Sequence, residues 1–354
     1  MMDEQQQKDR VRGCLVGGAV GDALGYAVEF VDSYQAIVNG YGPQGITRFD
    51  TNNDTGKGVI SDDTQMTLFT ACGMLNAKAS GSAPVPAICR AYIEWYYTQK
   101  GMRSKRFHDC WVGDLPELNV RRAPGVTCIE SLERMLQGGE PINYSKGCGG
   151  VMRIAPIPLY GLSQGRIKDV WMLDRLADEA SGLTHCHPLG SIPSFILSHL
   201  IYRLATDAEP SREAFLQYMQ EAVKGAYDYY IAFEQQIECQ EGLLNEAVAL
   251  AKQDLPDHEA VAQLGEGWVA EETLAIAVYS AYKYLDDFQK AVVAAVNHAG
   301  DSDSTGAVAG NLVGAAVGYK AIPTDYIRDL QLQDVILHVA DDLWRGKNTP
   351  FRKQ

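Results

Sequence analysis

The sequence predicts an all-α protein built as one compact helical bundle. Three observations carry that prediction. Apolar residues recur at helical spacing along most of the 354 residues. Alternating runs of the kind that make half-buried strands are scarce, and no βαβ repetition is present. No internal repeat, low-complexity tract or long linker divides the chain.

Taken in order, the pattern predicts helices over residues 10–29, 64–78, 86–99, 128–136, 168–182 and 191–205. It continues over 212–234, 243–252, 271–285, 288–298, 304–319 and 332–344. Within 271–285, Leu274, Val278, Ala281, Tyr282 and Leu285 share one face. A Gly- and Asn-rich loop covers 39–58, and an irregular stretch covers 101–125. Residues 1–10 are polar and lack an apolar run. They are expected to be a disordered leader to a single domain over 11–354, and not a signal peptide.

Composition excludes several classes. Lys and Arg number 31 against 45 Asp and Glu, a net charge of −14. That balance disfavours a nucleic-acid partner, and the basic run at 100–106 is expected to be a solvated loop. No stretch has the uninterrupted apolar length of a membrane span. The eight cysteines stand singly with no CxxC pair, which disfavours a zinc ribbon and fits a reducing, cytoplasmic setting. A monomer is the default expectation.

Two predicted helices carry glycine rows. Gly13, Gly17, Gly21 and Gly25 fall four apart, as do Gly306, Gly310, Gly314 and Gly318. At 100° per residue such a row drifts about 40° per step, so each stays on one face. Each Gly costs up to ~1 kcal/mol against Ala in a helix interior. The compensation is close backbone approach, to another helix or to a ligand.

Two acidic clusters open predicted helices. The first is Ser61, Asp62, Asp63 and Thr64; the second is Asp301, Ser302, Asp303 and Ser304. Each alone reads as helix capping. Together they offer hard oxygen donors suited to Mg²⁺ or Mn²⁺, with no His or Cys to favour zinc. Converging carboxylates stay ionised only with cations between them. Glu29, at the end of the first glycine-bearing helix, is a further candidate. The loop at 50–54, with two more acids, is a candidate lid. Gly147, Cys148, Gly149 and Gly150, followed by Val151 and Met152, leave backbone N–H groups bare to an anion, or else make a tight turn. His185 stands as a hydrogen-bonding candidate. A zinc pair with His187 is disfavoured because alternate residues point apart. Trp268 is a stacking candidate or a structural aromatic.

These segments occur in an order that resembles the ADP-ribosylglycohydrolase family, of the dinitrogenase-reductase-activating type. The matching stretches are Gly21-Asp22-Ala23-Leu24-Gly25 through Glu29, Ser61-Asp62-Asp63-Thr64, Gly147-Cys148-Gly149-Gly150-Val151-Met152-Arg153, Leu183-Thr184-His185 and Gly300-Asp301-Ser302-Asp303-Ser304. The likeness runs from about Arg12 to Gly318. Arg122-Ala123-Pro124-Gly125 also resembles bacterial members. The resemblance implies an all-α fold with two Mg²⁺ or Mn²⁺ ions. Ser61, Asp62 and Asp63 would bind from one side, and Asp301, Asp303 and Ser304 from the other. Glu29, His185 and the loop Gly147, Cys148, Gly149, Gly150, Val151 and Met152 would contact the ADP-ribosyl group. Many members have Thr where this chain has Ser61 and Ser304, and some have Asn where it has Cys148.

The implied activity is removal of ADP-ribose from a modified protein, with cleavage of the arginine N-glycosidic bond. A water oriented by Glu29 or Asp303 would attack the anomeric carbon. The alternatives are a non-catalytic ADP-ribose binder, or hydrolysis of serine-linked or small-molecule conjugates. Isoprenoid synthesis is disfavoured because the first cluster lacks DDxxD spacing. An HD-type phosphohydrolase would need His108 and Asp109, which lie in the irregular stretch.

Overall fold

The computed structural model describes residues 2–162 and 169–352. Sixteen α-helices run through them. The first eight are α1 (Glu4–Gly25), α2 (Tyr34–Tyr41), α3 (Asp62–Ser80), α4 (Pro84–Thr98), α5 (Val126–Leu136), α6 (Pro156–Gly161), α7 (Val170–Gly182) and α8 (Pro188–Thr206). Then come α9 (Arg212–Tyr229), α10 (Glu234–Ala251), α11 (Asp257–Leu264), α12 (Ala270–Lys283), α13 (Phe288–Val296), α14 (Ser302–Val317), α15 (Thr324–Asp329) and α16 (Gln333–Arg345). Among the described residues there is no strand, only two isolated bridges, Gly58 with Leu330 and Gly147 with Val269. The predicted all-α class is the observed one. No helix is long and apolar enough to cross a membrane.

Most predicted helices match within a few residues, and the departures have local causes. α1 begins at Glu4, so residues 4–10, expected to be disordered, are its first turns. A reciprocal cap makes that start: the Gln6 N–H donates to Asp3 Oδ1 at 2.7 Å, and the Asp3 N–H donates to Gln6 Oε1 at 3.1 Å. Arg12 ties the same helix to α16 through two bonds to Asp341, of 2.6 and 2.7 Å. The expected helix over 212–234 is α9, which ends at Tyr229, and the one expected over 243–252 is α10, which begins at Glu234. The chain leaves helical geometry at Tyr230, whose hydroxyl donates to Asp178 at 2.6 Å. Lys168, the expected first residue of α7, lies outside the described residues. Four short helices, α2, α6, α11 and α15, were not expected; each has eight residues or fewer.

The core is organised around α14, whose residues from Ser302 to Ala316 are all buried. It packs on α1, α8, α12 and α13. A helix buried on every side needs no amphipathic stripe, and this one has none. Its contact with α1 explains the glycine rows. The two helices run antiparallel, backbone against backbone: Gly13 faces Gly314, Gly17 faces Gly310, Gly21 faces Gly306, and Gly25 faces Ser302. A Cβ at Gly21 would fall on the Gly306 carbonyl, and one at Gly306 on the Gly21 carbonyl. Asn311 adds a cross-helix bond, donating to the Cys14 carbonyl at 2.8 Å. The glycines serve helix packing, and a ligand does not occupy the row.

This contact predicts an asymmetric response to added methyl groups. Gly21→Ala should destabilise the fold by about 2 kcal/mol or more, because a rigid carbonyl blocks the new Cβ. Gly40→Ala, in α2 with no atom within 4 Å of the new Cβ, should be neutral or stabilising by up to ~1 kcal/mol. Chemical denaturation of the two variants checks the pair. Equal effects would remove the backbone contact as the reason for the row.

Candidate active site and metal centre

The α1–α14 contact sets the end of one helix beside the start of the other. Glu29, four residues past the end of α1, therefore lies near Asp301 and Asp303 at the start of α14. A second device brings α3 to the same place. Asp22, fully buried on α1, accepts the backbone N–H of Ser61 at 3.0 and 3.1 Å and that of Thr64 at 3.1 Å, and it also bonds the Thr64 hydroxyl. Asp22 thus caps a helix that starts 39 residues away in sequence.

Local chemistry fixes each helix start. On α3, Ser61 Oγ accepts the Asp63 N–H at 3.2 Å. The loop at 121–125 closes over the same turn. Asp62 donates its N–H to the Arg122 carbonyl at 3.1 Å, and Gly125 donates its N–H to Asp62 Oδ2 at 3.3 Å. That loop turns at Ala123, which holds a positive φ of 47°. On α14, Asp301 Oδ1 and Asp303 Oδ1 both accept the Ser304 N–H, at 3.3 and 2.9 Å. Gly300 precedes them at φ 130°, where a Cβ would meet the Glu266 carbonyl.

The result is a convergence of five carboxylates. Glu29, Asp301 and Asp303 place one oxygen each within 4.8 Å of one another, and so do Asp62, Asp63 and Asp303. Asp303 belongs to both groups. All five residues are buried, and Glu29 Oε2 and Asp63 Oδ2 have no hydrogen-bond partner. Burial first, then the Asp303 charge, pushes Glu29 up to about 10 and Asp22 up to about 7. The same causes hold Asp62, Asp63 and Asp301 well above the usual carboxylate range. The helix dipoles favour these anions by only ~0.3–1 kcal/mol each. Burying a charge costs several kcal/mol. Capping alone does not account for such a cluster, which is a candidate cation site.

A cavity of about 490 Å³ opens above the acids. Its floor is Glu29, Asp62, Asp63, Asp301, Asp303 and Ser304. One wall is Gly147, Cys148, Gly149 and Met152 with His185; Arg121, Ala123, Pro124, Gly125 and Val126 also line it. Cys148 Sγ donates to Asp301 Oδ2 at 2.7 Å, and the Cys148 N–H donates to the Trp268 carbonyl at 3.2 Å. Trp268, 41% exposed, stands at the mouth with Phe30, their rings stacked at 6.3 Å. Burial, then the Arg153 charge, drives the His185 imidazole down to about 3, so the ring is neutral.

Three expected site residues do not line this cavity. Ser61 is fully buried and spends its Oγ on the α3 cap. Gly150 faces Ser181 and the Gly190 carbonyl, and Val151 is buried in the core. The 50–54 loop does not line it either; Asp50 accepts the Tyr41 hydroxyl at 3.0 Å. His187 caps α8, accepting the Leu189 N–H at 3.0 Å. His108 and Asp109 are exposed at the surface, away from the acids. Sequence reasoning missed Asp22, Phe30 and Arg121 as parts of this region. Asp22 carried the one available signal, a charged residue inside a glycine row on an apolar helix.

The family model for ADP-ribosylglycohydrolase matches residues 3–352. The chain is 27% identical over 333 residues to an ADP-ribosyl-[dinitrogen reductase] glycohydrolase of Rhodospirillum rubrum, covering 92% of this chain and 91% of that one. It is 24% identical to the ADP-ribosylarginine hydrolase Tri1 of Serratia proteamaculans, covering 97% and 81%. It is also 24% identical to ADP-ribosylhydrolase ARH3 of Gallus gallus, covering 90% and 88%. A solved structure described as an ADP-ribosylglycohydrolase-related protein complex superposes with a TM-score of 0.65 at 26% identity, covering 97% of this chain and all of that one. With an all-helical scaffold and a family match along nearly its full length, the chain belongs to the ADP-ribosylglycohydrolase family.

Proposed function

We propose that the chain hydrolyses the N-glycosidic bond between ADP-ribose and arginine in a modified protein, using two divalent cations, Mg²⁺ or Mn²⁺. The observation that carries this reading is the pair of carboxylate groups sharing Asp303 on the cavity floor. The names of two relatives, an ADP-ribosylarginine hydrolase and an ADP-ribosyl-[dinitrogen reductase] glycohydrolase, support the protein-linked substrate and the first supports arginine.

The donor set fits hard cations. It is oxygen-only on the floor, and two of its buried oxygens lack any partner. Asp62, Asp63 and Asp303 would hold one ion; Glu29, Asp301 and Asp303 would hold the other, with Ser304 beside them. Ser61 acts through the α3 cap. Bound cations supply compensating charge and the Lewis acidity that lowers the pKa of a nearby water.

The chain's own groups perform the rest. The glycine wall and His185 hold the ADP-ribosyl group with its anomeric carbon over the acids. Glu29 orients the attacking water and takes its proton as the new C–O bond forms. The anomeric C–N bond breaks through an oxocarbenium-like state, whose positive charge the anionic floor favours. The electron pair leaves with the guanidine nitrogen, which gains a proton and departs as guanidinium, its stable form at neutral pH. Trp268 and Phe30 at the mouth border the modified polypeptide.

Asp303→Asn removes the negative charge and one of the two oxygens of the carboxylate common to both groups, and should lower turnover by about 10³-fold or more while the helical circular dichroism is unchanged. Unchanged turnover would sink the assignment of Asp303. Release of ADP-ribose from an arginine-modified protein, run beside a serine-linked substrate, should occur for arginine and should stop with EDTA. Release from serine alone would replace the proposed linkage, and metal-independent release would remove the cations from the reading.

Metal removal also has a pH signature. Glu29 is raised from its ordinary 4.5 to about 10, so the metal-free fold takes up protons relative to the unfolded chain. That stabilisation is complete below the ordinary value and is lost as pH rises toward the folded one. The melting temperature in EDTA should therefore fall between pH 5.5 and 8.5. Saturating Mn²⁺ should raise it more at pH 8.5 than at pH 5.5. Calorimetry showing equal increments would separate the metal from these carboxylates.

A further inference from the structure

Behind the glycine wall lies a buried guanidinium that the mechanism above does not use. Arg153 ends the 3-10 segment Cys148–Arg153 and is 0% exposed. Among the described residues no carboxylate pairs with it. Its Nη2 donates to Thr184 Oγ1 at 2.6 Å and to the Ala180 carbonyl at 3.4 Å, its Nη1 meets the sulfurs of Met66 and Cys128, and its Nε has no partner. Its charge lies 4.2 Å over the Tyr92 ring. An unpaired buried charge costs several kcal/mol, so a fold that keeps one has a use for it.

The use is visible one bond further on. Thr184 Oγ1 is 2.9 Å from His185 Nδ1. Arginine has donors and no acceptor, so Thr184 receives its bond. The cation turns the hydroxyl oxygen toward itself and the hydroxyl proton away. The strong acceptor available to that proton is His185 Nδ1; the Cys128 sulfur beside it is a weak one. An Nδ1–H would instead aim two donors at one hydroxyl beside a cation. The Thr184 backbone is itself clamped, its carbonyl accepting from Ser131 at 3.0 Å and Asn143 at 2.8 Å. Across the ring, Nε2 lies at the cavity edge against Gly147 and Gly149.

We propose that Arg153 and Thr184 are positioning residues that hold His185 as the neutral Nε2–H tautomer, so that the cavity wall presents a hydrogen-bond donor to an oxygen of the bound ADP-ribosyl group. The ligand in this statement rests on the function proposed above; the tautomer does not. The relay gives the wall a donor without a charge. A charged imidazolium there would ion-pair with the floor, and the other tautomer would turn an acceptor toward the ligand's oxygens.

Nitrogen-15 NMR of histidine-labelled, ligand-free protein tests the tautomer directly, with His185→Gln identifying the resonance among seven histidines. The wild type should show an Nε2-protonated neutral ring from pH 5.5 to 8. Thr184→Val should lose that signature and weaken ADP-ribose binding about tenfold by calorimetry, the effect of one hydrogen bond. Thr184→Ser, which keeps the hydroxyl, should restore both. An Nδ1-protonated ring in the wild type, or Thr184→Val with unchanged spectrum and affinity, overturns the proposal. If Thr184→Val does not fold, the wild-type spectrum alone decides. A wild type with the expected tautomer that does not bind ADP-ribose keeps the relay and overturns the functional reading.

Discussion

Everything at the candidate site depends on two helices approaching closely enough to touch through their backbones. Side chains between α1 and α14 would hold them apart, and the end of α1 would then miss the start of α14. Glycine removes that spacer at Gly13, Gly17, Gly21 and Gly25, and again at Gly306, Gly310 and Gly314. The conformational cost, up to ~1 kcal/mol per glycine, is spread along two helices that are otherwise deeply buried. What the contact delivers is register. It sets Gly25 against Ser302, and so Glu29 against Asp301 and Asp303. Asp22 extends the same control to α3. One helix therefore positions both acid-bearing termini, through sterics on one face and through hydrogen bonds on another.

The second constraint is electrostatic and opposes the first. Packing forces five carboxylates together out of water; burial first, and then the Asp303 charge, raises Glu29, Asp62, Asp63 and Asp301 above the usual carboxylate range when no cation is present. A structure optimised for stability alone would replace these acids with apolar residues or with acid–base pairs. The rest of the molecule does pair its charges: Arg12 with Asp341, Arg203 with Glu221, Lys283 with Asp257. The basic run at 100–106 follows the same habit, with Arg103 on Asp114 and Lys100 on Glu133. Among the described residues the acid floor is the densest group of buried acids without a basic partner, whereas Glu94, also buried, is held by the backbone N–H groups of Asp109 and Cys110; such clustering marks a candidate site.

How much of this was legible in the sequence follows from the range of each interaction. The long helices were legible because their periodicity is local. α2, α6, α11 and α15 were not, because a helix of six or eight residues completes too few turns to show a period. The glycine rows and both acid clusters stood out as patterns. That the rows face each other is a tertiary fact, and the sequence left packing and ligand contact open. Asp22 reads as one polar residue in an apolar helix until α3 is seen to start on it. Ser61, Gly150 and Val151 belong to motifs that reach the site, yet their own side chains or backbones turn inward. A contiguous motif does not reveal which of its members faces the cavity.

The division of labour between floor and walls follows from what an ADP-ribosyl group is. Its diphosphate is anionic, and the floor is anionic, so the two must be kept apart while the ribose end is drawn down. Among the described residues lining the cavity, Arg121 is the single Lys or Arg side chain. On the proposed reading the walls would bind with uncharged donors such as the His185 ring, since the Gly147 and Cys148 N–H groups are already donated to Ser145 and Trp268. Uncharged donors favour an anion without forming ion pairs with the floor that would close the cavity. The buried Arg153 adds positive potential from behind the wall, where it orients the wall's hydroxyl and cannot reach the acids as a salt-bridge partner. On the proposed reading, a guanidinium placed one layer back would keep recognition of the diphosphate separate from the metal chemistry at the ribose within one cavity.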